Sequence, residues 1–390
     1  MKILFVLNSI YCKGNGLATS ARRTVLYLRK TGNEVRVLSG PNSDEEDGPQ
    51  PDYCLESYHF PIFDPLIRSH GYFFAKSDLA LIEEAVKWAD VVHLDEPFVL
   101  QKKTARICEK LGVPCTGTYH LHPENIFCSI HMGGWRWINK TLLRIWRDKV
   151  FDHCTHIQCP SENVHDRLIR YDFKARLHTI SNGVISEPCI RPLTPPDDYE
   201  SPDRPLKVVY IGRLAVEKDQ PTLLEAMRHS AYAKRIQLVF AGKGPEAKKL
   251  KKKAERLYKD GVVSYEPEFC FCSHHELRQL AASADLCIHC ATIEVEGLSI
   301  MEAIQQGAVP IIAAGRYTGT SQFALDRRSV FPEKNPEALA HRIDYWLSHP
   351  KERWEMGQKY VSSMERYKIE NSVDMLLDMF QQAIDQNKQA

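Results

Sequence analysis

The feature that constrains this chain most is an alternation of short apolar runs with amphipathic stretches that happens twice, interrupted once by a proline-rich segment. Ile3 to Leu7 is a continuous apolar run, as expected of a strand covered on both faces, and Leu17 to Lys30 has helical apolar spacing that stops at Gly32. Glu34–Leu38, Val91–Leu94, Cys115–Tyr119, His156–Cys159 and Leu177–Ile180 read as further strands with helical stretches between them. Strands that alternate with helices pair in parallel, because a parallel neighbour is reached only through a crossover. Between Ile185 and Pro205 lie six prolines, a composition that continues neither a helix nor a central strand. The alternation restarts at Leu206, with strands expected at Leu206–Ile211, Leu238–Ala241, Val262–Tyr265 and Asp285–Cys290, and helices near Leu223, up to Leu257 and over Glu276–Ala284. From Glu337 onward the pattern is mostly helical. A chain of 390 residues divided this way holds two α/β domains.

Charge and cysteine usage exclude several classes. Lys and Arg number 51 against 50 acids, so bulk charge does not point to nucleic acid. The first apolar run is five residues long and ends at Asn8, too short for a signal peptide or a spanning helix, so a cytoplasmic protein with reduced thiols is expected. Cys270, Cys272, Cys287 and Cys290, with His274, His275 and His289 nearby, have zinc-like spacing, but Asp285–Cys290 reads better as a buried strand in which Cys acts as a small hydrophobe. The cluster His153, Cys154, His156 and Cys159 is read the same way.

Candidate ligand groups fall where strands end. Gly14-Asn15-Gly16 precedes a helix and would let backbone amides approach a phosphate, although a plain turn explains it equally. It fails as a dinucleotide fingerprint, since Thr19 stands at the third glycine position and the end of the second strand, Leu38-Ser39-Gly40, offers no acid. In the second half, Gly212-Arg213-Leu214 and Glu217-Lys218 put two cations just past a parallel strand, where a pyrophosphate would suit them or a solvated loop would. Gly242-Lys243-Gly244-Pro245 ends the next strand. Glu294 to Glu302 opens a short helix that ends at Gly307; its amides fit a phosphate and its two carboxylates fit sugar hydroxyls, while Ser299-x-x-Glu302 also reads as a capping box.

In that order these residues resemble the retaining glycosyltransferases of family 4, whose E-x7-E motif corresponds to Glu294 through Glu302. The resemblance extends to Thr118-Tyr119-His120, Ser181-Asn182-Gly183-Val184 and Ala284-Asp285-Leu286, nearly the whole chain. It implies the α/β GT-B fold: two facing Rossmann-like domains with parallel sheets and a helical C-terminus. The acceptor domain would be 1–184, the linker 185–205 and the donor domain 206–365, with a helix at 366–390 crossing back to the first domain. By resemblance Arg213 and Lys218 would neutralise the leaving diphosphate, Glu302 would hold the ribose and Glu294 would orient the sugar. His120 would stand over the reacting face, and Gly16, Gly244, Gly297, Leu298 and Ser299 would complete the donor contacts. No metal or other cofactor is expected. Two departures bear on the sugar: Val295-Glu296 intervene before Gly297, and Arg316–Thr320 replaces a common Gly-Gly loop.

Tyr119-His120 with Glu124 is similar to diacylglycerol glucosyltransferases, and Ser129–Lys149 is basic and rich in Trp, the pattern of an interfacial helix or of a domain helix with buried Trp. The expected activity is retaining transfer of a hexose from a UDP-sugar to a membrane lipid such as diacylglycerol or a glycolipid, by a peripheral protein on the inner membrane face. A soluble or polymeric acceptor is the alternative, as is a sugar-nucleotide binder without turnover. A nicotinamide oxidoreductase is disfavoured by the missing ribose-binding acid.

Overall fold

The computed structural model describes residues 1–11, 15–42, 49–60, 64, 73–128 and 134–389. The chain forms two compact units, Met1–Ile185 with Ile369–Ala390, and Ser186–Lys368.

The first unit is built on a seven-stranded parallel sheet in the order Tyr53–Cys54, Glu34–Ser39, Lys2–Val6, Val91–Leu94, Cys115–Thr118, His156–Cys159, Arg176–Thr179. Its first strand is central, so the chain winds to one edge and then returns to the other side, leaving a switch point between Lys2–Val6 and Val91–Leu94. The helix Ile369–Gln389 belongs to this unit: Ile369, Val373, Leu376, Met379 and Phe380 are buried with Ile3, Phe5 and Leu7 in one core. Gly183 meets it closely, since a Cβ there would lie 2.6 Å from Ile369 Cα.

The second unit repeats the scheme with six parallel strands in the order Glu268–Cys270, Ile236–Ala241, Leu206–Ile211, Leu286–His289, Val309–Ala314, Val330–Pro332. The strand expected at Val262–Tyr265 is displaced to Glu268–Cys270. Gly261, at φ +68°, closes the helix Ala247–Lys259, and Val262 donates back to Leu257, so sheet pairing begins only where Glu268 meets Val239. The proline-rich stretch is packed within this unit. Arg191 donates to the carbonyls of Ala282, Ala284 and Gly307, groups that helix ends leave without partners.

Each unit carries buried charge. In the second, Asp285 is 1% exposed and accepts from Arg353 at 2.7 Å, from Arg204 at 2.7 and 3.1 Å, and from the Lys207 amide at 2.8 Å. Removing the carboxylate leaves two guanidinium groups without their anion, Arg353 among them fully buried. Asp285→Ala is therefore expected to cost about 3–5 kcal/mol, read as lost resistance of the second unit to urea, and a loss below about 1 kcal/mol would contradict this account.

In the first unit, burial pushes the Glu96 carboxyl up to about 7 against the hydrogen bonds donated by Asn8 N, Asn8 Nδ2 and Gln101. Burial pushes His93 down to about 4, with Asp95 only partly offsetting it. The signs oppose: Glu96 contributes stability that is complete below its unfolded value of 4.5 and lost as pH rises through 7, whereas the His93 contribution is present above 6.5 and lost as pH falls towards 4. Between pH 4.5 and 6.5 the two offset each other. Glu96→Gln is expected to leave His93 unopposed, so that the variant gains stability relative to wild type as pH rises across that window; parallel curves would show that Glu96 does not titrate as its surroundings require.

Candidate active site

The named residues divide between the units. In the first, His120 follows the strand Cys115–Thr118 and turns its Nε2 to within 3.4 Å of Asp95 Oδ1, which also lies 3.7 Å from His93 Nε2. Asp95 and Glu96 follow the neighbouring strand Val91–Leu94, so these polar groups gather at the carboxyl ends beside the switch point. Tyr119 is buried, and burial pushes its hydroxyl well up. Glu124 is 2% exposed and takes both oxygens to Arg167 at 2.9 Å, while Arg167 also donates to His122 Nδ1 at 2.9 Å. Gly16 begins the helix Gly16–Lys30, where the Asn15 side chain takes the amides of Leu17 and Ala18. Gly14 lies outside the described residues.

The second unit brings most of the others together. Arg213 follows the central strand Leu206–Ile211 and pairs with Glu217, a residue 2% exposed. Lys218 pairs with Glu294, and His289 Nε2 approaches the same carboxylate at 3.4 Å. Burial alone would raise Glu294; the Lys218 ammonium and the His289 ring outweigh it and hold the carboxyl well below the usual range. An ionised Glu294 can accept from hydroxyl groups. Its backbone is fixed by a short parallel pairing of Ile293–Glu294 with Tyr317–Thr318, and the Gly319 amide donates to the Glu294 carbonyl at 2.8 Å. The two departures in sequence are thus neighbours: a Cβ on Gly297 would stand 2.4 Å from Thr320 Cγ2.

The helix after Glu294 runs Leu298–Gln305, with Gly297 as its N-cap at φ +101° and no side chain capping it. The capping box read at Ser299-x-x-Glu302 does not form, because Ser299 already sits inside the first turn. Its hydroxyl lies 3.6 Å from where a Gly212 Cβ would be, which joins the helix start to the Gly212-Arg213 turn. Glu302 is half-buried one turn further along. The turn around Gly244 is zipped to the same strand end. Leu214 donates to the Lys243 carbonyl at 2.8 Å, the Glu246 amide donates to Leu214, and a Cβ on Gly244 would lie 2.2 Å from Leu214 O. Two cations, an ionised carboxylate and an uncapped helix start therefore share one switch point, an arrangement suited to a phosphate with a hydroxylated group attached.

Glu217 and His289 have no role in the reading of the sequence, yet each holds a named residue. The i, i+4 spacing of Arg213 and Glu217 was visible there; His289 was visible only as one of a cysteine and histidine cluster. Cys287 and Cys290 are buried in and beside the strand Leu286–His289, and Cys270, at the end of the edge strand, and Cys272, two residues past it, lie apart with sulfurs 3.4 Å from each other. In the other cluster, His156 bonds His178 at 2.8 Å and Gln386 at 3.0 Å.

The helix Arg136–Lys149 divides its tryptophans. Trp146 is buried against Phe98, while Trp135 and Trp137 are 50% and 69% exposed beside exposed Arg136, Lys140 and Arg144. Arg147 is engaged with Asp148 and the Tyr171 carbonyl. Residues 129–133 lie outside the described residues. No helix among the described residues is long and apolar enough to cross a membrane.

Comparison with known proteins supplies the family. Residues 14–187 match the model of "Glycosyltransferase Family 4" and residues 195–361 that of "Glycosyl transferases group 1". An alpha-monoglucosyldiacylglycerol synthase of Streptococcus pneumoniae is 24% identical over 81% of this chain and 71% of its own length. A GDP-mannose-dependent alpha-mannosyltransferase of Corynebacterium glutamicum is 26% identical over 80% and 72%. A sulfoquinovosyl transferase of Arabidopsis thaliana is 26% identical over 80% of this chain and 59% of its own. Anabaena HepE, solved with UDP and glucose, superposes with a TM-score of 0.71 at 16% identity, covering 98% of this chain and 100% of that one. Sucrose-phosphate synthase of Thermosynechococcus elongatus gives the same score and identity over 98% of each. With two parallel-sheet units, a helical C-terminus and both halves matched, the chain belongs to the GT-B glycosyltransferases of the family 4 kind.

Proposed function

We propose that the protein transfers a hexose, with retention of configuration, from a UDP-sugar to a lipid acceptor such as diacylglycerol or a glycolipid at the inner face of a membrane. The observation that carries this is the group formed by Arg213, Lys218, Glu294 and the uncapped helix Leu298–Gln305 at one strand-end switch point. Arg213, Lys218 and the helix amides stabilise the negative charge that grows on the departing diphosphate, as fixed positive groups do in a site already organised for it. Glu302 takes the ribose hydroxyls. Glu294 exchanges its contact with Lys218 for the hydroxyls of the sugar, and His120 supplies the polar contact on the acceptor side. Two cations and a helix start provide the charge a divalent ion would otherwise supply, so no metal is required. The lipid acceptor is favoured by the name of the Streptococcus relative and by the outward Trp135, Trp137 and cations of the helix Arg136–Lys149. UDP is favoured over GDP by the HepE complex, while the Corynebacterium relative makes GDP the competing base in a donor screen.

Variants of the donor site and the configuration of the product test this reading. Glu294→Gln is expected to bind UDP at least as tightly as wild type, since Lys218 is then released to the diphosphate, while kcat falls by about 100-fold or more; Arg213→Ala with Lys218→Ala should instead abolish the rise in Tm that UDP produces. Unchanged turnover in the first variant, or a product of inverted configuration by NMR, removes the reading. The acceptor side is tested by sedimentation with phosphatidylglycerol vesicles, where Arg136→Glu, Lys140→Glu and Arg144→Glu together should weaken binding and leave donor hydrolysis intact. Wild type that stays in the supernatant at low salt points to a soluble acceptor.

A further inference from the structure

The second unit carries a strongly charged surface that the proposed chemistry does not use. The helix Ala247–Lys259 buries Leu250, Ala254 and Leu257 and exposes Lys248, Lys249, Lys251, Lys252, Lys253, Arg256 and Lys259, with Glu255 its one acid. Buried positions i, i+4 and i+7 fix the inward stripe, so the cations spread over the outward arc. Three pairs of like charge fall at i, i+4: Lys248 with Lys252, Lys249 with Lys253, and Lys252 with Arg256. Each destabilises the helix, a cost that alternating signs would avoid. In a chain whose formal net charge is +1, this is a local concentration of positive charge.

Aromatic rings flank it. Tyr258 is 43% exposed, and Phe271, just past the edge strand Glu268–Cys270, is 59% exposed. Lys251 Nζ stands 5.7 Å from the Phe269 ring centroid and Lys243 Nζ 3.7 Å from that of Phe271. The acids at the margin include Glu246, which holds Lys249 at 3.2 Å, Asp260, the C-cap of the helix, which pairs with Arg228 at 3.3 Å, and Glu268, which accepts from Gln237.

We infer that this face, the outward side of the helix Ala247–Lys259 with Phe271 at its margin, docks on an anionic phospholipid bilayer. A broad convex arc of lysines fits a plane of headgroups, each cation near such a leaflet strengthening attachment, and exposed aromatic rings with lysines over them are at home at the interface. Single-stranded nucleic acid is bound along a groove lined by cations, whereas these cations lie on the convex outer side of a helix. The helix begins directly after the Gly242–Pro245 turn, so docking holds the candidate donor site close to the surface. The purpose of such docking rests on the lipid-acceptor reading.

The test uses the full chain without donor or acceptor. Sedimentation is compared on phosphatidylcholine vesicles and on mixed phosphatidylglycerol and phosphatidylcholine vesicles, for wild type and for the combined Lys248→Gln, Lys252→Gln, Arg256→Gln, Lys259→Gln variant. The variant is expected to bind the anionic vesicles roughly tenfold or more weakly, and wild-type binding should fall as salt rises. Its Tm should stay close to that of wild type, since the loss of two like-charge pairs offsets the loss of the last-turn cations Arg256 and Lys259, which separates lost docking from lost folding. Undiminished binding by the variant overturns the inference. If only the Arg136, Lys140 and Arg144 variant binds less, the inference fails while the proposed function stands. Tighter binding of a DNA oligonucleotide than of vesicles, abolished by the four substitutions, makes nucleic acid the occupant and overturns the bilayer.

Discussion

Parallel pairing is the constraint from which the rest follows. Strands that run the same way cannot be joined by hairpins, so each crossover leaves the sheet at its carboxyl edge, and most of them enter a covering helix. Both faces are then dry, and polar groups that need a partner or a ligand collect at that edge. In the first unit they are Asn8, Asp95, Glu96 and His120; in the second they are Arg213, Lys218 and Glu294. The strand order in each unit places these groups beside the central strand, where neighbouring connections depart in opposite directions and leave a crevice.

In the second unit that edge is charge-balanced by its own residues. Glu217 answers Arg213 and Glu294 answers Lys218, so neither cation waits unpaired among partly buried surroundings. On the proposed reading a diphosphate competes with two carboxylates for the same cations. Selectivity then comes from what the displaced Glu294 gains, since only a donor with hydroxyls in reach compensates it for losing Lys218. A bare diphosphate offers no such exchange.

The sequence made the architecture legible because strand and helix periods differ and the proline-rich stretch interrupts them once. Arg213, Lys218 and the Glu294 to Glu302 segment could be picked out by their positions after apolar runs. What could not be read depends on contacts distant in sequence. The capping box at Ser299 was a local pattern overruled by Gly297, whose positive φ starts the helix earlier. The strand Val330–Pro332 is three residues long and acquires its identity from pairing with Val309–Ala314. Composition does not reveal that Arg191, in the proline-rich segment, fills the unsatisfied ends of two helices. His289 gained a role only when Glu294, five residues later, folded back onto it.

The last helix, Ile369–Gln389, has a consequence for how the protein is made. Ribosomes deliver chain from the N-terminus, and domains ordinarily fold in that order. Here the first unit lacks part of its core until Leu376, Met379 and Phe380 emerge, whereas the second unit, Ser186–Lys368, is one uninterrupted stretch of chain. The half that is synthesised second can therefore complete its fold first. The N-terminal sheet must wait with an apolar face open until that helix has left the ribosome, and in that interval a nascent chain of this protein is most in need of a chaperone.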